Sequence, residues 1–316
     1  MFLRHFGSHV AVRTPAKLNL FLEVLGKRAD GYHELETLMT TVGIYDRLEV
    51  ASRDDGQVAL ECAWAPGIVA SSQARTRCGG ATAFEPLPTG PDNLVVRTAQ
   101  RLRERAGESR GADLRLRKTI PAAAGLGGAS ADAAATLTAL NALWNLQWSP
   151  ARLAEVAAEV GSDVPFFLGD EQGPADAAVC RGRGERIERT RCAAPLHCVV
   201  VRPPAGLSTA AVFRACRPAQ TPRSSQPLAE ALRSGDLRRL GASLHNRLQE
   251  PASELSPWIV RLRDWFGKYA IVGHQMSGSG TSYFGICRSA REASRLANLA
   301  RLAGWDAVFV GAAPAV

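Results

Sequence analysis

Two periods of hydrophobic spacing run through the chain, and each predicts its own kind of element. Near the start the apolar positions alternate: Val10 and Val12, then Leu18, Leu20, Leu22 and Val24. That is the period of a half-buried strand, here in two segments around Thr14-Pro15-Ala16-Lys17. The same period puts Lys17 and Asn19 on one face. A polar run over 26–33 follows, with Asp30-Gly31 as its turn and Tyr32-His33 directly after it. More strand is expected through Thr40-Thr41-Val42, Ile44 and Leu48-Glu49-Val50. Over 64–92 no period holds and Gly, Pro, Ser and Ala dominate, which reads as a long irregular insertion at the surface.

The helical period appears next. Asp92-Asn93 caps a helix over 94–105, with Leu94, Ala99 and Leu102 inward. Leu114, Leu116 and Ile120 alternate with Arg115 and Arg117 as a strand, and three glycines in four residues follow: Gly125, Gly127 and Gly128. Beyond them Ala133, Leu137, Leu140 and Trp144 share a helical face, and Ser130 and Asp132 suit the first turn. Ser149-Pro150 opens another helix with Leu153, Val156, Ala157 and Val160 inward, and Gly161 closes it as a C′ glycine. Asp163 then stands against the apolar run 164–168, and 175–187 reads as a hairpin around Gly182-Arg183-Gly184.

From about residue 190 the pattern restarts, and we place a domain boundary there. A strand over 197–201 precedes a short helix capped at Ser208-Thr209 and carrying Phe213. A Pro- and Ser-rich linker (218–227) leads to helices over 228–234, 236–248 and 254–266 and a strand over 269–272. A second glycine loop, Ser277-Gly278-Ser279-Gly280, is followed by a strand over 283–287, a helix over 290–302 and a strand over 307–310. No internal repeat is evident.

A strand, a glycine loop and a helix start together form an anion trap, because free backbone N–H groups and the helix dipole face the loop. The plain alternative is a tight strand-to-helix turn. A Walker A loop is excluded, since Ala129 and Ser130 stand where Lys and Ser/Thr are required. A dinucleotide fingerprint is excluded too: Ser130 replaces the third glycine, and 145–152 holds no carboxylate for a ribose.

Composition narrows the class. The 316 residues, 46% hydrophobic and 22% charged, suffice for one large or two ordinary domains and do not suit disorder. No run of 18 apolar residues and no apolar leader region occur, so we expect a cytoplasmic enzyme or binding protein with no membrane role. The 7 cysteines form no C-x-x-C and keep no zinc spacing with His, so they read as reduced thiols and no protein metal site is assigned. The net charge of +8 is interleaved with 30 acids and lacks a basic run with aromatics. A small polyanionic substrate accounts for it better than nucleic acid. Arg fills nearly every basic position; only Lys17, Lys27, Lys118 and Lys268 are lysines. A compact ammonium suits a place beside a phosphate or a reacting hydroxyl where a guanidinium fork does not fit. Asp163 reads either as a cap or as a general base in a partly dry place. Tyr32 and His33 read as surface groups or as a stacking face and hydrogen-bonding edge for a flat ligand.

Three stretches agree on one family. Pro15-Ala16-Lys17-Leu18-Asn19, the loop from Pro121 to Asp132, and Ser277-Gly278-Ser279-Gly280 resemble, in order and spacing, the three motifs of the GHMP kinases. Asp30-Gly31-Tyr32-His33-Glu34-Leu35 and Gly161-Ser162-Asp163-Val164-Pro165-Phe166-Phe167 resemble a branch acting on a cytidine diphosphate-linked polyol in non-mevalonate isoprenoid synthesis. The resemblance implies an α/β (α+β) two-domain fold. Residues 1–190 would be similar to the second domain of ribosomal protein S5, and 191–316 would be ferredoxin-like. It implies ATP and Mg²⁺ as cofactors and a monomer or weak homodimer.

Residue by residue, the resemblance makes Asp163 the base and Lys17 its partner at the reacting hydroxyl. Pro121, Ala122, Ala123, Ala124, Gly125, Leu126, Gly127, Gly128, Ala129 and Ser130 would cradle the ATP phosphates, with Asn93 and Lys118 near the adenosine. Tyr32, His33 and Phe213 would hold the cytosine, and Asn19 would touch the acceptor near the reacting group. One departure stands out: Gly127-Gly128-Ala129-Ser130-Ala131 replaces the family's Gly-Gly-Gly-Ser-Ser. The alternatives are a GHMP kinase for another alcohol, of homoserine or mevalonate type, and a nucleotide-binding module without catalysis.

Overall fold

The computed structural model describes residues 1–68, 87–173, 175–305 and 307–314, so the irregular stretch expected over 64–92 lies largely outside the described residues. Two sheets organise them. The first holds β1 (Phe2–Phe6), β2 (His9–Lys27), β3 (His33–Arg53), β4 (Val58–Trp64), β5 (Gly111–Lys118), β6 (Ala177–Gly182) and β7 (Arg186–Thr190). Its main path runs β1-β2-β3-β5-β4, with β6 also on β3 and β7 on β6. The second comprises β8 (Leu196–Arg202), β10 (Gly273–Met276), β11 (Tyr283–Cys287) and β12 (Ala307–Ala313) in the order β10-β11-β8-β12. Between them in sequence, the two-residue β9 (His245–Asn246) pairs parallel with β2 at Phe21 and Leu22, so the second half of the chain adds to the first sheet.

The segments expected on either side of Pro15 are one strand. Its pairing with β3 shifts register between Pro15 and Ala16, where a residue without an N–H fits best. From Thr14 to Val24 every residue of β2 is buried. Helices cover one face and the second half of the molecule covers the other, so Lys17 and Asn19 are only 4% and 3% exposed.

Helices α1 (Leu94–Ala106) and α2 (Gly128–Leu143) pack on the first sheet, and α3 (Pro150–Val160) and α4 (Val164–Leu168) pack against these helices and each other. Asn93 caps α1 by accepting from Val95 N, and Ser149 caps α3 by accepting from Arg152 N. Gly161 closes α3 in extended backbone, φ −175°, rather than in the left-handed form of a C′ glycine. Ala131, Ala133, Ala134, Ala135 and Ala139 of α2 are all buried, and such small side chains let the helix sit close against strands and neighbouring helices. With Leu48, Val50, Leu114, Leu116, Leu140 and Trp144 they form one core.

The second half carries α5 (Thr209–Ala215), α6 (Gln226–Ser234), α7 (Leu237–Ser243), α8 (Gln249–Leu255), α9 (Pro257–Phe266) and α10 (Ala290–Leu302). The helix expected over 236–248 stops at Ser243. Asn246 Nδ2 donates instead to the carbonyls of Met276 and Gly278, and Arg247 N donates to Leu22 O. The strand expected over 269–272 lies at 273–276, and neither β1 nor β4 was anticipated. A shared core of Leu18, Leu20, Phe21 and Ile120 with Cys198, Val200, Phe284 and Ile286 joins the two sheets. Among the described residues no helix is long and apolar enough to cross a membrane.

Glu23 fastens the same seam. Its carboxylate is 0% exposed and accepts from Arg247 Nε (2.7 Å) and Nη2 (3.1 Å), the N–H of Arg223 (3.0 Å) and the N–H of Val24 (3.1 Å), with His245 Nε2 at 3.1 Å. Burial alone would raise its pKa, but the Arg247 hydrogen bonds, the two backbone donors and the charge of His245 outweigh it and hold it at about 2. A carboxyl lowered on folding stabilises the fold above its unfolded pKa, and that contribution is lost as pH falls through the folded value. The wild-type thermal midpoint should therefore drop between about pH 5 and pH 2. In Glu23→Gln that component should be missing and stability at pH 7 should fall by about 3 kcal/mol. Parallel pH profiles of the two proteins would contradict this.

Candidate active site

Three segments remote in sequence meet where the sheets join: β2 at 17–19, the glycine loop between β5 and α2, and the loop between β10 and β11. Backbone groups make the junction. Lys17 N donates to Leu126 O (2.9 Å) and Ser282 N to Ala124 O (3.0 Å). Ser277 Oγ donates to Gly125 O (2.8 Å) and accepts from Asn19 N (3.3 Å), so one hydroxyl touches all three segments. The glycines follow from this crowding. Gly125 has φ +74°, and a Cβ there would lie 2.1 Å from Ser277 O. Gly127, the N-cap of α2, has φ +68°, and its Cβ would lie 2.8 Å from Lys17 Cγ. Ala123 also adopts positive φ, +49°, which is strained for an alanine.

The departure from the family pattern is accommodated locally. Ala129 is exposed in the first turn of right-handed α2, where an L-residue belongs. Ala131 is buried in the apolar core, and its carbonyl accepts from Thr14 Oγ1 (3.0 Å).

Lys17 Nζ donates to Asn19 Oδ1 (2.5 Å) and lies 3.4 Å from Asp163 Oδ2. The ammonium side chain is 5% exposed and the carboxylate side chain 34%, so the base can reach a ligand while its partner stays dry. Asn19 Nδ2 donates to Thr37 Oγ1 (2.8 Å), which in turn donates to Phe21 O (2.6 Å). That chain turns the amide oxygen of Asn19 towards Lys17. Asp163 occupies the N-cap position of α4 yet makes no side-chain cap bond. Its carboxylate lines a cavity of about 890 Å³ instead. Below it, burial first and the Asp163 charge second push the Cys180 thiol up, so that sulfur stays protonated.

Ala123, Gly125, Gly127 and Ser130 of the glycine loop form part of the cavity wall, and Tyr32, His33 and Phe213 form another part. The His33 and Phe213 rings stack with centroids 5.1 Å apart. Burial and then Lys27 lower the His33 pKa, so its ring is neutral at pH 7 and offers one donor and one acceptor. Lys27, Arg183 and Arg214 also line the cavity, with Arg183 over the Tyr32 ring at 4.8 Å. Sequence reasoning gave none of these cations a place in the site; the available signals were Lys27 as one of only four lysines and Arg183 between two glycines, read as a hairpin turn.

Asn93 and Lys118, expected near the adenosine, do not line this cavity. The Asn93 side chain is occupied in capping α1 and in donating to Pro88 O (2.7 Å). Lys118 is 4% exposed and is held by Asp46 and Asp132. Each side chain is engaged with the fold. Pro121, Ala122, Ala124, Leu126, Gly128 and Ala129 shape the loop without forming its wall.

Comparison with known proteins gives the geometry a context. A family model described as the GHMP kinases N terminal domain matches residues 93–181, and one described as GHMP kinases C terminal matches 228–301. The chain is 40% identical over 284 residues to a 4-diphosphocytidyl-2-C-methyl-D-erythritol kinase of Pelotomaculum thermopropionicum, covering 89% of this chain and 90% of that one. It is 39% identical to the enzyme of the same name from Rhodopirellula baltica, covering 91% and 89%. A crystal structure of a 4-(cytidine 5'-diphospho)-2C-methyl-D-erythritol kinase superposes with a TM-score of 0.74 at 33% identity, over 96% of this chain and 98% of that one. Homoserine kinase from Cytophaga hutchinsonii shares the fold, with a TM-score of 0.70 at 18% identity, over 100% and 97% of the two chains.

The junction makes a paired prediction. Gly125→Ala should unfold at lower urea and lose activity, because its methyl would meet a backbone carbonyl. Ala123→Gly should gain about 0.5–1 kcal/mol by releasing a left-handed alanine, net of the glycine entropy. Equal stability of the two variants in urea titrations would refute the crowding described here.

Proposed function

The chain belongs to the GHMP kinases, and we propose that it phosphorylates the 2-hydroxyl of 4-diphosphocytidyl-2-C-methyl-D-erythritol with ATP, giving the 2-phosphate and ADP. This is a cytoplasmic step of non-mevalonate isoprenoid precursor synthesis. Residues 1–190 and 191–316 are its two domains. The observation that carries the reading is a single cavity containing the Lys17–Asp163 pair, the glycine-loop wall and the Tyr32, His33 and Phe213 rings. Those are the parts a kinase needs for an acceptor with a nucleobase at its far end.

The Asp163 carboxylate takes the proton of the acceptor hydroxyl as its oxygen attacks the γ-phosphorus. The Lys17 ammonium steadies both the carboxylate and the developing alkoxide. Asn19, turned by Thr37, keeps the ammonium in place. Transfer passes through a loose transition state, so positioning and charge neutralisation dominate over covalent chemistry. N–H groups at the start of α2 face the ATP phosphates, as at other helix N-termini. Tyr32 and Phe213 offer flat faces to the cytosine, and neutral His33 reads its edge. Lys27, Arg183 and Arg214 neutralise the diphosphate.

The cavity suits Mg²⁺ as well. The Ser130 hydroxyl and Asp163 carboxylate are hard oxygen donors in its wall, and Mg²⁺ commonly binds through substrate phosphates plus one or two protein oxygens. When bound, the ion would neutralise phosphate charge.

Asp163→Asn should lower kcat by about 10²–10⁴-fold while ATP and acceptor affinities stay within about threefold. Turnover near wild type would remove Asp163 from the chemistry. Arg183→Ala should raise the acceptor KM about tenfold, ~1.4 kcal/mol, and leave the ATP KM unchanged. ATP consumption should occur with the cytidyl polyol and not with homoserine or mevalonate; turnover of either of those instead would replace the substrate assignment.

A further inference from the structure

A buried ionic cluster beneath the glycine loop takes no part in the steps above. Lys118, the last residue of β5, ends between Asp46 of β3 and Asp132 of α2, with Asp132 Oδ2 at 2.6 Å. The three side chains are 5%, 0% and 3% exposed. Asp46 Oδ1 also accepts the N–H groups of Thr119 (2.5 Å) and Ile120 (2.9 Å), where the chain leaves the strand and enters the loop. One carboxylate thus fixes the entry to the loop and the other belongs to the helix that leaves it, and the ammonium joins the two. A Cβ on Gly128 would lie 3.1 Å from Lys118 Nζ, so the ammonium sits against the first residue of α2.

Stability is a poor reason for such a cluster. Desolvating these groups costs several kcal/mol, and apolar side chains of similar volume are often as stable or more so. Asp132 Oδ1 is buried with no hydrogen-bond partner, a further penalty. Burial pushes the Asp132 carboxyl up from the usual carboxylate range, against the pull of the Lys118 ammonium, which is a further cost of burying the cluster. What the cluster supplies is a defined spacing between two strands and a helix start.

We propose, on the kinase reading of the site, that Lys118 and Asp132 are positioning residues for ATP. They set the first turn of α2 against β3 and β5 so that its free N–H groups face the nucleotide phosphates. Neither side chain touches the nucleotide. The compact ammonium suits this place, lying against Gly128 and between two carboxyl groups.

The test is titration of a non-hydrolysable ATP analogue into the full-length protein without acceptor, together with both KM values. Lys118→Met should weaken analogue binding at least tenfold and raise the ATP KM to match, with the acceptor KM within twofold. Asp132→Asn keeps an oxygen acceptor for the ammonium and should bind within about threefold of wild type, whereas Asp132→Ala should lose about tenfold. The proposal falls if folded Lys118→Met binds the analogue normally, or if ATP and acceptor suffer equally. It also falls if the two Asp132 variants behave alike, and that comparison decides should Lys118→Met fail to fold. Analogue binding needs no acceptor chemistry, so its outcome is separate from the identity of the acceptor.

Discussion

The contact between Gly125 and Ser277 is the constraint around which the cleft is built. A backbone carbonyl of the second half lies where a side chain on residue 125 would have to go. The hydroxyl of the same serine bonds to the loop and to the strand carrying Lys17. Because these contacts use backbone groups, they hold segments at distances that packed side chains could not reach. Lys17 and the glycine loop then share one wall of a cavity without either having to move. Asn246 and Gln275 extend the seam, donating to carbonyls of the third loop and of β2.

Charge is managed along the same seam. Among the described residues few charged side chains are fully buried, and Glu23, Lys17 and Lys118 each have partners at short range. The partners differ in consequence. Glu23 is surrounded by donors and stays ionised, which ties the second half of the chain to β2. Lys118 is shared between two carboxylates and links strands to a helix start. Lys17 faces one neutral amide and one partly exposed carboxylate, the arrangement in which a charge remains available to a ligand. Around the rest of the cavity, Lys27 and Arg214 are exposed and Arg183 is half-buried, so all three can meet a polyanion.

Local physics explains which elements were legible in the sequence. The caps at Asn93, Ser149 and Ser208, the alternation in β2, β3 and β5, and the alanine-rich helix after the glycines all depend on neighbours a few residues away. Such signals survive without tertiary information. The glycine loop could be read as an anion site because a strand, a glycine turn and a helix start produce free N–H groups wherever they occur. Misreadings arose where distant partners compete with local preference. The helical pattern after Asp236 is interrupted because Asn246 and Arg247 find acceptors on β2 and the third loop.

By itself the sequence determined the three loops, the residue types at the reacting pair and the order of most elements, since these rest on short-range pattern and motif spacing. Only the tertiary structure decided what each side chain faces. Lys17 and Lys118 are two lysines in similar strand positions, yet one opens on the cavity and the other is closed off by carboxylates 72 and 14 residues away. Asn93 was expected both to cap a helix and to lie near a ligand, and its side chain accepts from Val95 N as the cap. Arg183 carries no motif of its own, and it reaches the cavity because the β6–β7 turn lies beside Tyr32. Orientation of this kind depends on which strand pairs with which, and no local pattern encodes that pairing.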